Sequence, residues 1–156
     1  MIQEYQVSGF RVREYEELRS TNTEAERVGW DELEDKMVIL TYKQTQGRGQ
    51  VGNHWESEPG KNISMTVVFK PRELPAGQQF AVSMVIALGA CDFISRYVAG
   101  CTVKWPNDIY VGDRKISGIL IEHSIMGRYV GGSLCGIGVN INQERFLSDA
   151  PNPVSL

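Results

Sequence analysis

The sequence predicts an α+β domain built around one mixed β-sheet. Three observations support this fold class. Apolar runs typical of buried strands occur at residues 37–43 and 63–69, and one long apolar helix is predicted at 77–98. A long hairpin follows at 115–142. Because strands and helices are segregated along the chain more than they alternate, the pattern favours α+β over an alternating α/β class. With 156 residues, of which 42% are hydrophobic, the chain can bury the core of about one domain.

The N-terminal part contains one predicted strand and one predicted helix start. Residues 10–18 can form a strand, and Ser20-Thr21-Asn22-Thr23-Glu24 then begins a helix. Thr21 and Glu24 have the spacing of a capping box, in which each side chain bonds the other residue's backbone N–H. The next elements are strand 37–43, a glycine-containing loop at 44–62, strand 63–69 and a turn marked by Pro71 and Pro75.

The second half begins with the apolar helix, which runs from Gly77 to about Val98. Because apolar residues lie on most of its sides, we expect this helix in the middle of the core. Short strands follow it, divided by Pro106-Asn107-Asp108 and by Gly112-Asp113. The hairpin then pairs residues 115–125 with residues 128–142 across a turn at Met126-Gly127.

Composition and charge argue against several classes of protein. The net charge is −3 and no Lys/Arg cluster occurs, so we expect no nucleic-acid partner held by phosphate neutralisation. The N-terminus lacks the pattern of a signal peptide, and the uncharged stretch Phe80–Cys91 is shorter than the roughly 20 residues of a membrane span. Cys91, Cys101 and Cys135 lack C-x-x-C spacing, which predicts reduced thiols in a soluble, cytoplasmic protein.

The stretch Gly47-Arg48-Gly49-Gln50-Val51-Gly52 fits the dinucleotide-binding pattern G-x-G-x-x-G. A buried strand precedes it and Glu73 lies near the acidic distance that the pattern requires. The helix that should open on the glycines is missing, because residues 53–62 contain Pro59-Gly60 and no apolar stripe of period 3.6. The sequence therefore predicts a glycine loop outside any Rossmann fold.

The last strand has an unusual alternation. Counting by two places glycines and amides on one face and apolar residues on the other: Gly136, Gly138, Asn140 and Asn142 against Cys135, Ile137, Val139 and Ile141. Gly118 interrupts the partner strand in the same way. Glycines weaken a strand unless something approaches its backbone closely, and a ligand, a bulge or a tightly packed helix remain open as explanations.

Each remaining polar motif has a purely structural alternative. Lys104-Trp105-Pro106-Asn107-Asp108 groups a Lys, an amide and a carboxylate around a proline corner, but Pro-Asn-Asp is also a common turn. Arg114-Lys115 can be an exposed hairpin end, and Ser20-Thr21-Asn22 a simple helix cap. His54 and His123 have no spacing to a second ligand, so no metal site is predicted, and His123 is interpreted as a strand-end residue.

Taken together, these motifs resemble the catalytic domain of biotin protein ligases in their order and in their residues. The resemblance runs from about residue 10 to the C-terminus and rests on Ser20-Thr21-Asn22, Gln44-Thr45-Gln46-Gly47-Arg48-Gly49 with Trp55, Lys104-Trp105-Pro106-Asn107-Asp108, Arg114-Lys115-Ile116-Ser117-Gly118-Ile119-Leu120-Ile121-Glu122, and Gly136-Ile137-Gly138-Val139-Asn140-Ile141-Asn142. It implies a mixed, largely antiparallel sheet with helices packed on one side. It also implies that residues 1–156 are one catalytic domain, incomplete at its C-terminus and without an N-terminal DNA-binding domain.

The resemblance implies a two-step reaction in the cytoplasm. Biotin and MgATP give biotinyl-5′-adenylate and pyrophosphate, and the biotinyl group then passes to a lysine of a biotin carrier protein domain of a carboxylase. Such an enzyme must hold a carboxylate against an α-phosphorus, offset negative charge and exclude water. Its small-molecule partners are biotin, ATP and Mg²⁺, with no prosthetic group; the family also suggests a homodimer paired through sheet edges.

The resemblance also assigns roles to individual residues. The catalytic positions are Lys115, Arg48 and Asp108, of which Asp108 could hold Mg²⁺, fix Lys115 or accept a proton, with positioning ranked first. The positions around biotin are Ser20, Thr21, Asn22, Gln44, Gly47, Arg48, Gly118 and Leu120. The ATP positions are Arg48, Gly49, Trp55, Lys104, Asn107, Lys115 and Asn140. Glycines in the loop would let backbone N–H groups approach the phosphate.

These roles require an irregular strand. In a regular strand Lys115 and Gly118 point to opposite faces, so they meet one ligand only if Lys115 precedes the strand or a bulge intervenes. We therefore predict an irregularity between them. A straight strand through 115–121 would contradict a shared site.

Two departures from the family keep alternatives open. The loop has Gln50, Val51 and Asn53 where well-known members have more arginine, so the adenylate is expected to be held more loosely. The chain also stops after Asn152-Pro153-Val154-Ser155-Leu156, where members continue. The alternatives are a lipoate or octanoate ligase, which Trp105-Pro106 and the glycine loop disfavour, and a truncated core that binds biotin without catalysis.

Overall fold

Eight strands form one mixed sheet and two more form a separate hairpin in the residues that this computed structural model describes, 2–50, 52–148 and 152–156. The strands are β1 (Ile2–Val7), β2 (Phe10–Tyr15), β3 (Met37–Thr41), β4 (Gly47–Arg48), β5 (His54–Trp55), β6 (Asn62–Phe69), β7 (Cys101–Lys104), β8 (Asp108–Val111), β9 (Arg114–Met126) and β10 (Tyr129–Asn140). The helices are α1 (Thr21–Val28) and α2 (Phe80–Ser95), and a short 3₁₀ turn precedes α2 at Ala76–Gln78.

The order of the large sheet is β1-β2-β3-β6-β10-β9-β8-β7. Within the described strands only β2 and β3 pair in parallel, and all other neighbours are antiparallel. The predicted α+β class, mixed sheet and final hairpin are confirmed. Strand β1 was missed because all of its side chains are exposed, so the sequence shows no alternation there.

The two helices pack on opposite faces of the sheet, which corrects the expectation that helices lie on one side. Ala87 and Ile94 of α2 pack with Ile137 and Val139 of β10. Ala25 of α1 packs in a different cluster, with Leu134 of the same strand. Residues of even and odd number on this strand point to opposite faces, so the helices contact different sides.

Helix α1 is capped by Ser20, and the predicted capping box of Thr21 and Glu24 is wrong by one residue. The side chain of Ser20 accepts a hydrogen bond from the backbone N–H of Thr23 at 3.5 Å. Glu24 instead accepts two hydrogen bonds from the Arg27 guanidinium, one turn further on. The cap places Thr21 and Asn22 in the first turn of the helix, where both are buried against the sheet.

Helix α2 is a surface helix, and the expectation that it lies in the middle of the core is wrong. Val82, Ala87 and Ile94 are buried, whereas Val85 and Leu88 are 61% and 59% exposed. The sheet covers one side of the helix, so apolar residues on the other side remain in contact with solvent. The 20 residues Ala76–Ser95 are long and apolar enough to cross a membrane. Length and composition are weak evidence for a membrane span, because helices of soluble proteins meet the same two criteria.

Candidate active site

The site is a cavity of about 570 Å³ on the sheet face that also carries α1. We call this the pocket face and define it by Gly118 and Leu120 of β9 and Gly136 and Gly138 of β10. The cavity brings together most of the residues that the sequence selected: Ser20, Thr21, Asn22, Gln44, Arg48, Gly49, Trp55, Lys104, Asn107, Asp108, Lys115, Gly118 and Leu120. These residues come from five separate stretches of chain, and the folding of the sheet brings them together.

A bulge in β9 turns Lys115 toward the pocket face. Ile109 of β8 pairs with Ser117 and the next residue, Tyr110, pairs with Lys115, so Ile116 is the extra residue. Ile116 is 1% exposed and lies in the core on the opposite side. A Cβ built on Gly118 would lie 3.4 Å from Lys115 Cε, so both residues face the same space. The predicted irregularity is confirmed.

Lys115 is held at both its side chain and its backbone. Its Nζ forms an ion pair with Asp108 Oδ1 at 2.8 Å, and both side chains are about three-quarters buried. Its backbone N–H donates to the carbonyl of Asn152 and its carbonyl accepts from Val154 N–H, each at 2.9 Å. Residues 152–154 thereby fix the strand position from which the lysine projects. Sequence reasoning gave this short segment no role in the site.

The glycines of the pocket face are covered by side chains of the protein itself. A Cβ on Gly138 would lie 2.3 Å from Trp55 Cε2, and one on Gly118 would lie 2.9 Å from Trp55 Cζ3. Similarly, a Cβ on Gly136 would lie 2.4 Å from Asn22 Oδ1. The close approach that the sequence predicted is therefore made by an indole and an amide. At Gly136 the amide belongs to the first turn of α1, so a packed helix accounts for that glycine, whereas the indole of β5 accounts for Gly118 and Gly138.

The glycine loop forms the small β4–β5 hairpin, in which Gly47 pairs with Trp55. A Cβ on Gly47 would lie 2.2 Å from the Trp55 carbonyl oxygen, which explains this glycine, although Gly47 does not itself line the cavity. No helix opens on the loop in the described part of 50–62, which agrees with the exclusion of a Rossmann fold. Val51 lies outside the described residues.

Arg48 is surrounded by hydrogen-bond acceptors. Its guanidinium donates to carboxylate oxygens of Glu122 and Glu26, the second at 3.1 Å, and approaches the Thr23 hydroxyl at 3.5 Å. Partial burial alone would lower the pKa of Arg48, but the Glu26 hydrogen bond and the charge of Glu122 outweigh it, and the pKa lies above its ordinary value. The side chain is therefore a fixed cation at the edge of the cavity.

A polar cluster at the start of α1 closes the other end of the cavity. The backbone N–H of Thr21 donates to Gln44 Oε1 at 2.9 Å. The Thr66 hydroxyl lies 2.6 Å from Asn22 Oδ1 and 2.8 Å from the Thr21 hydroxyl. Thr66 was missed from sequence, although β6 alternates strictly between buried and half-buried residues and Thr66 is on its buried side.

Lys104 approaches the cavity from the end of β7, and Asn107 from the turn that follows it. Lys104 Nζ lies 3.2 Å from the Tyr110 hydroxyl. The amide of Asn107 donates to the Ile119 carbonyl and accepts from Gln50 Nε2 at 3.2 Å. Gln50 thus ties the glycine loop to this turn. Tyr110 is a cavity residue that sequence reasoning missed.

Asn140 lies just outside the cavity lining, at the end of β10. It is 3% exposed, its Nδ2 donates to the Val154 carbonyl at 3.1 Å, and its Oδ1 is buried without a hydrogen-bond partner. Asn142, placed on the same face by the sequence, is exposed and follows the end of the strand. Asn140 therefore retains a buried acceptor that no hydrogen bond uses.

The described residues contain no group of three or more His, Cys, Asp or Glu side chains that could hold a metal ion. His123 lies within β9 and not at its end, so the strand-end interpretation is wrong. Its Nδ1 lies 2.8 Å from the Ser133 hydroxyl, and burial lowers its pKa.

A sequence model of the biotin/lipoate A/B protein ligase family matches residues 15–140, a span that includes all of the cavity except its C-terminal rim. The chain belongs to this family. Among its curated relatives, the bifunctional ligase/repressor BirA of Bacillus subtilis is 28% identical over 140 residues, which are 89% of this chain and 43% of that protein. The biotin–acetyl-CoA-carboxylase ligase of Paracoccus denitrificans is 34% identical over 124 residues, 78% of this chain and 51% of that protein.

Solved structures of biotin ligases share the fold. The Helicobacter pylori biotin acetyl coenzyme A carboxylase synthetase, solved with bound biotinylated ATP, has a TM-score of 0.69 at 27% identity and covers 93% of this chain and 65% of that one. The Aquifex aeolicus biotin protein ligase has a TM-score of 0.74 at 24% identity, over 92% of this chain and 58% of that one. This ligase-family chain spans about half the length of the curated relatives it matches.

Proposed function

We propose that the protein is a biotin–protein ligase, which activates biotin with ATP to biotinyl-5′-AMP and transfers the biotinyl group to a lysine of a biotin carrier protein. The observation on which this rests is the bulge in β9, which turns Lys115 onto the pocket face beside Gly118 and within 2.8 Å of Asp108. The ligase names of the relatives and the biotinylated ATP in the Helicobacter pylori structure support the same substrates.

The biotin ring is proposed to bind at the end of the cavity near α1. Ser20, Thr21 and Asn22 are nearly fully buried there, and buried hydroxyl and amide groups can satisfy a ureido ring. Gln44 Oε1 is already occupied by the Thr21 N–H, which leaves the amide N–H₂ of Gln44 as a donor. Leu120 would supply apolar surface for the thiophane ring, next to Gly118, part of which the Trp55 indole covers.

The nucleotide is proposed to bind on the other side of Lys115. Trp55 would pack on the adenine base, and the unpartnered Asn140 Oδ1 would accept from its exocyclic amine. Arg48, Lys104 and Lys115 would face the phosphates, with Gly49 backbone approaching closely and Asn107 orienting the turn. Lys115 would bridge the biotin carboxylate and the α-phosphate, where the charge develops as the acyl–phosphate bond forms.

Mg²⁺ is proposed to accompany the ATP phosphates. Magnesium is bound through one or two carboxylates together with phosphate oxygens, and Asp108 is the carboxylate that lines the cavity beside the phosphate-facing lysine. The oxygen ligands therefore fit the ion, which would neutralise part of the triphosphate charge. Asp108 also forms the ion pair that positions Lys115.

A reducing compartment such as the cytoplasm is proposed from the cysteines. Cys91, Cys101 and Cys135 are free thiols, although Cys91 Sγ and Cys101 Sγ are 3.1 Å apart. Burial raises the pKa of Cys135 to about 12 and that of Cys101 to about 11, so both favour the unreactive thiol form.

The test is biotin-dependent exchange of labelled pyrophosphate into ATP by the wild type, Lys115→Ala and Arg114→Ala. Lys115→Ala should abolish exchange. Arg114→Ala should retain it, because this substitution removes the same charge from the exposed end of the same strand. Lipoate replaces biotin in a parallel assay. Exchange with lipoate but not biotin would contradict the biotin assignment, and biotin binding without any exchange would identify a binding core.

A further inference from the structure

Glu122 is a carboxylate placed beside a site that we propose for a triphosphate. It follows Gly118 and Leu120 in steps of two along β9, so its side chain lies on the pocket face. Its side chain is 31% exposed. Negative charge at this position repels phosphate, so the residue needs a function that outweighs the repulsion.

Both oxygens of Glu122 are engaged by donors from different elements. Arg48 of β4 donates to Oε1, and Asn22 of α1 donates to Oε2 at 2.8 Å. Asn22 is 3% exposed, and its own carbonyl oxygen accepts from the Thr66 hydroxyl at 2.6 Å. Rotating Glu122 away from Arg48 would therefore also disturb a buried amide that is fixed from the other side.

We infer that Glu122 is a positioning residue for Arg48 and that it connects the biotin end of the cavity to the phosphate end; the catalytic consequence rests on the proposed function. A free arginine side chain has several rotatable bonds, and ordering it during catalysis costs conformational entropy. Glu122 orders it in advance. A guanidinium has five N–H donors, so the two bonds to carboxylates leave donors for a phosphate oxygen.

Glu26 provides the matched comparison. It accepts a hydrogen bond from the same guanidinium at 3.1 Å, but its side chain is 47% exposed on α1. The Glu26 hydrogen bond also raises the pKa of Arg48, but an exposed carboxylate is screened by solvent and stays mobile, whereas buried Asn22 holds the second oxygen of Glu122. Removing the charge of Glu26 should therefore perturb Arg48 much less than removing that of Glu122.

The experiment measures pyrophosphate exchange for Glu122→Gln, Glu26→Gln, Arg48→Ala and the double variant Glu122→Gln/Arg48→Ala. Glu122→Gln should lower kcat/KM for ATP about tenfold or more, since a charge-assisted hydrogen bond is lost, and Glu26→Gln less than about twofold. In the Arg48→Ala background Glu122→Gln should cause no further loss. A merely structural role for Glu122 would give equal losses with and without Arg48, which would overturn the inference.

A second measurement does not depend on catalysis. The ¹⁵N–¹H heteronuclear NOE of the Arg48 Nε–H group should be close to backbone values in the wild type and in Glu26→Gln, and should fall in Glu122→Gln. If the wild type shows no pyrophosphate exchange but the heteronuclear NOE falls only in Glu122→Gln, the proposed function fails and the positioning contact stands. An Arg48 that is equally ordered in wild type and Glu122→Gln would overturn the inference whatever the activity.

Discussion

Gly138→Ala should destabilise the protein by displacing Trp55. The added Cβ would lie 2.3 Å from Trp55 Cε2, 2.5 Å from Nε1 and 2.8 Å from Cζ2. Ordinary contact begins near 3.4 Å, so the ring must move by roughly 1 Å or the strand must bend away. Neither is easy, because Gly138 pairs with Gly118 on one side and Ser64 on the other.

Forced overpacking of this kind costs typically about 1–3 kcal/mol. We expect the upper half of that range, because three ring atoms are affected and Trp55 is itself paired in the β4–β5 hairpin. Trp55→Ala removes the obstruction, so adding Gly138→Ala to Trp55→Ala should cost much less than adding it to the wild type. The difference between the two costs measures the contact directly.

The assay is urea unfolding of the wild type, both single variants and the double variant. Gly89→Ala is the control, since Gly89 is exposed in α2 and its added Cβ meets nothing within 4 Å. That substitution should stabilise the protein by about 0.5–1 kcal/mol through helix propensity. Equal destabilisation by Gly138→Ala with and without Trp55 would show that the indole does not occupy the pocket face, and would refute the reasoning.

Two further predictions concern residues 152–156, which bind the Lys115 backbone, and the partly buried His123. Deleting residues 152–156 removes both backbone hydrogen bonds to Lys115 and the partner of Asn140, so pyrophosphate exchange should fall at least about tenfold while biotin affinity, measured by calorimetry, changes less. Burial lowers the pKa of His123 from its ordinary 6.5, so the unfolded chain is protonated first and stability should fall as the pH drops below about 6.5. In His123→Gln the melting temperature should depend less on pH over this range. An unchanged pH profile of the melting temperature would contradict the burial argument.

The sequence was most informative where a two-residue period and a functional requirement conflicted. Lys115 and Gly118 have opposite parity in a regular strand, so a shared site required one extra residue between them. The structure inserts Ile116 there and buries it. The strand positions of β6, β9 and β10 were predictable for the same reason, since alternation identifies a face without knowledge of what covers it.

What covers a face was the part that the sequence did not reveal. The apolar pattern of α2 indicated burial, but Val85 and Leu88 lie on a side that no described element covers. Likewise, the glycines at 118 and 138 indicated a close neighbour, yet Trp55 is more than 60 residues away in sequence. Contacts of this type depend on how a loop folds back, which local propensity does not encode.

The charge balance of the cavity constrains how a nucleotide can enter. Within the described residues, the three lining cations Arg48, Lys104 and Lys115 already have polar partners: two carboxylates, a tyrosine hydroxyl and Asp108, respectively. If the proposed function holds, a triphosphate would therefore bind by exchange of partners and not by filling free positive charge. Lys115 would exchange Asp108 for phosphate most readily, because Asp108 is the carboxylate that would hold Mg²⁺ in the proposed complex. We expect Arg48 to keep Glu122 as a partner, since Asn22 holds the other oxygen of Glu122 and keeps the carboxylate in place beside the guanidinium.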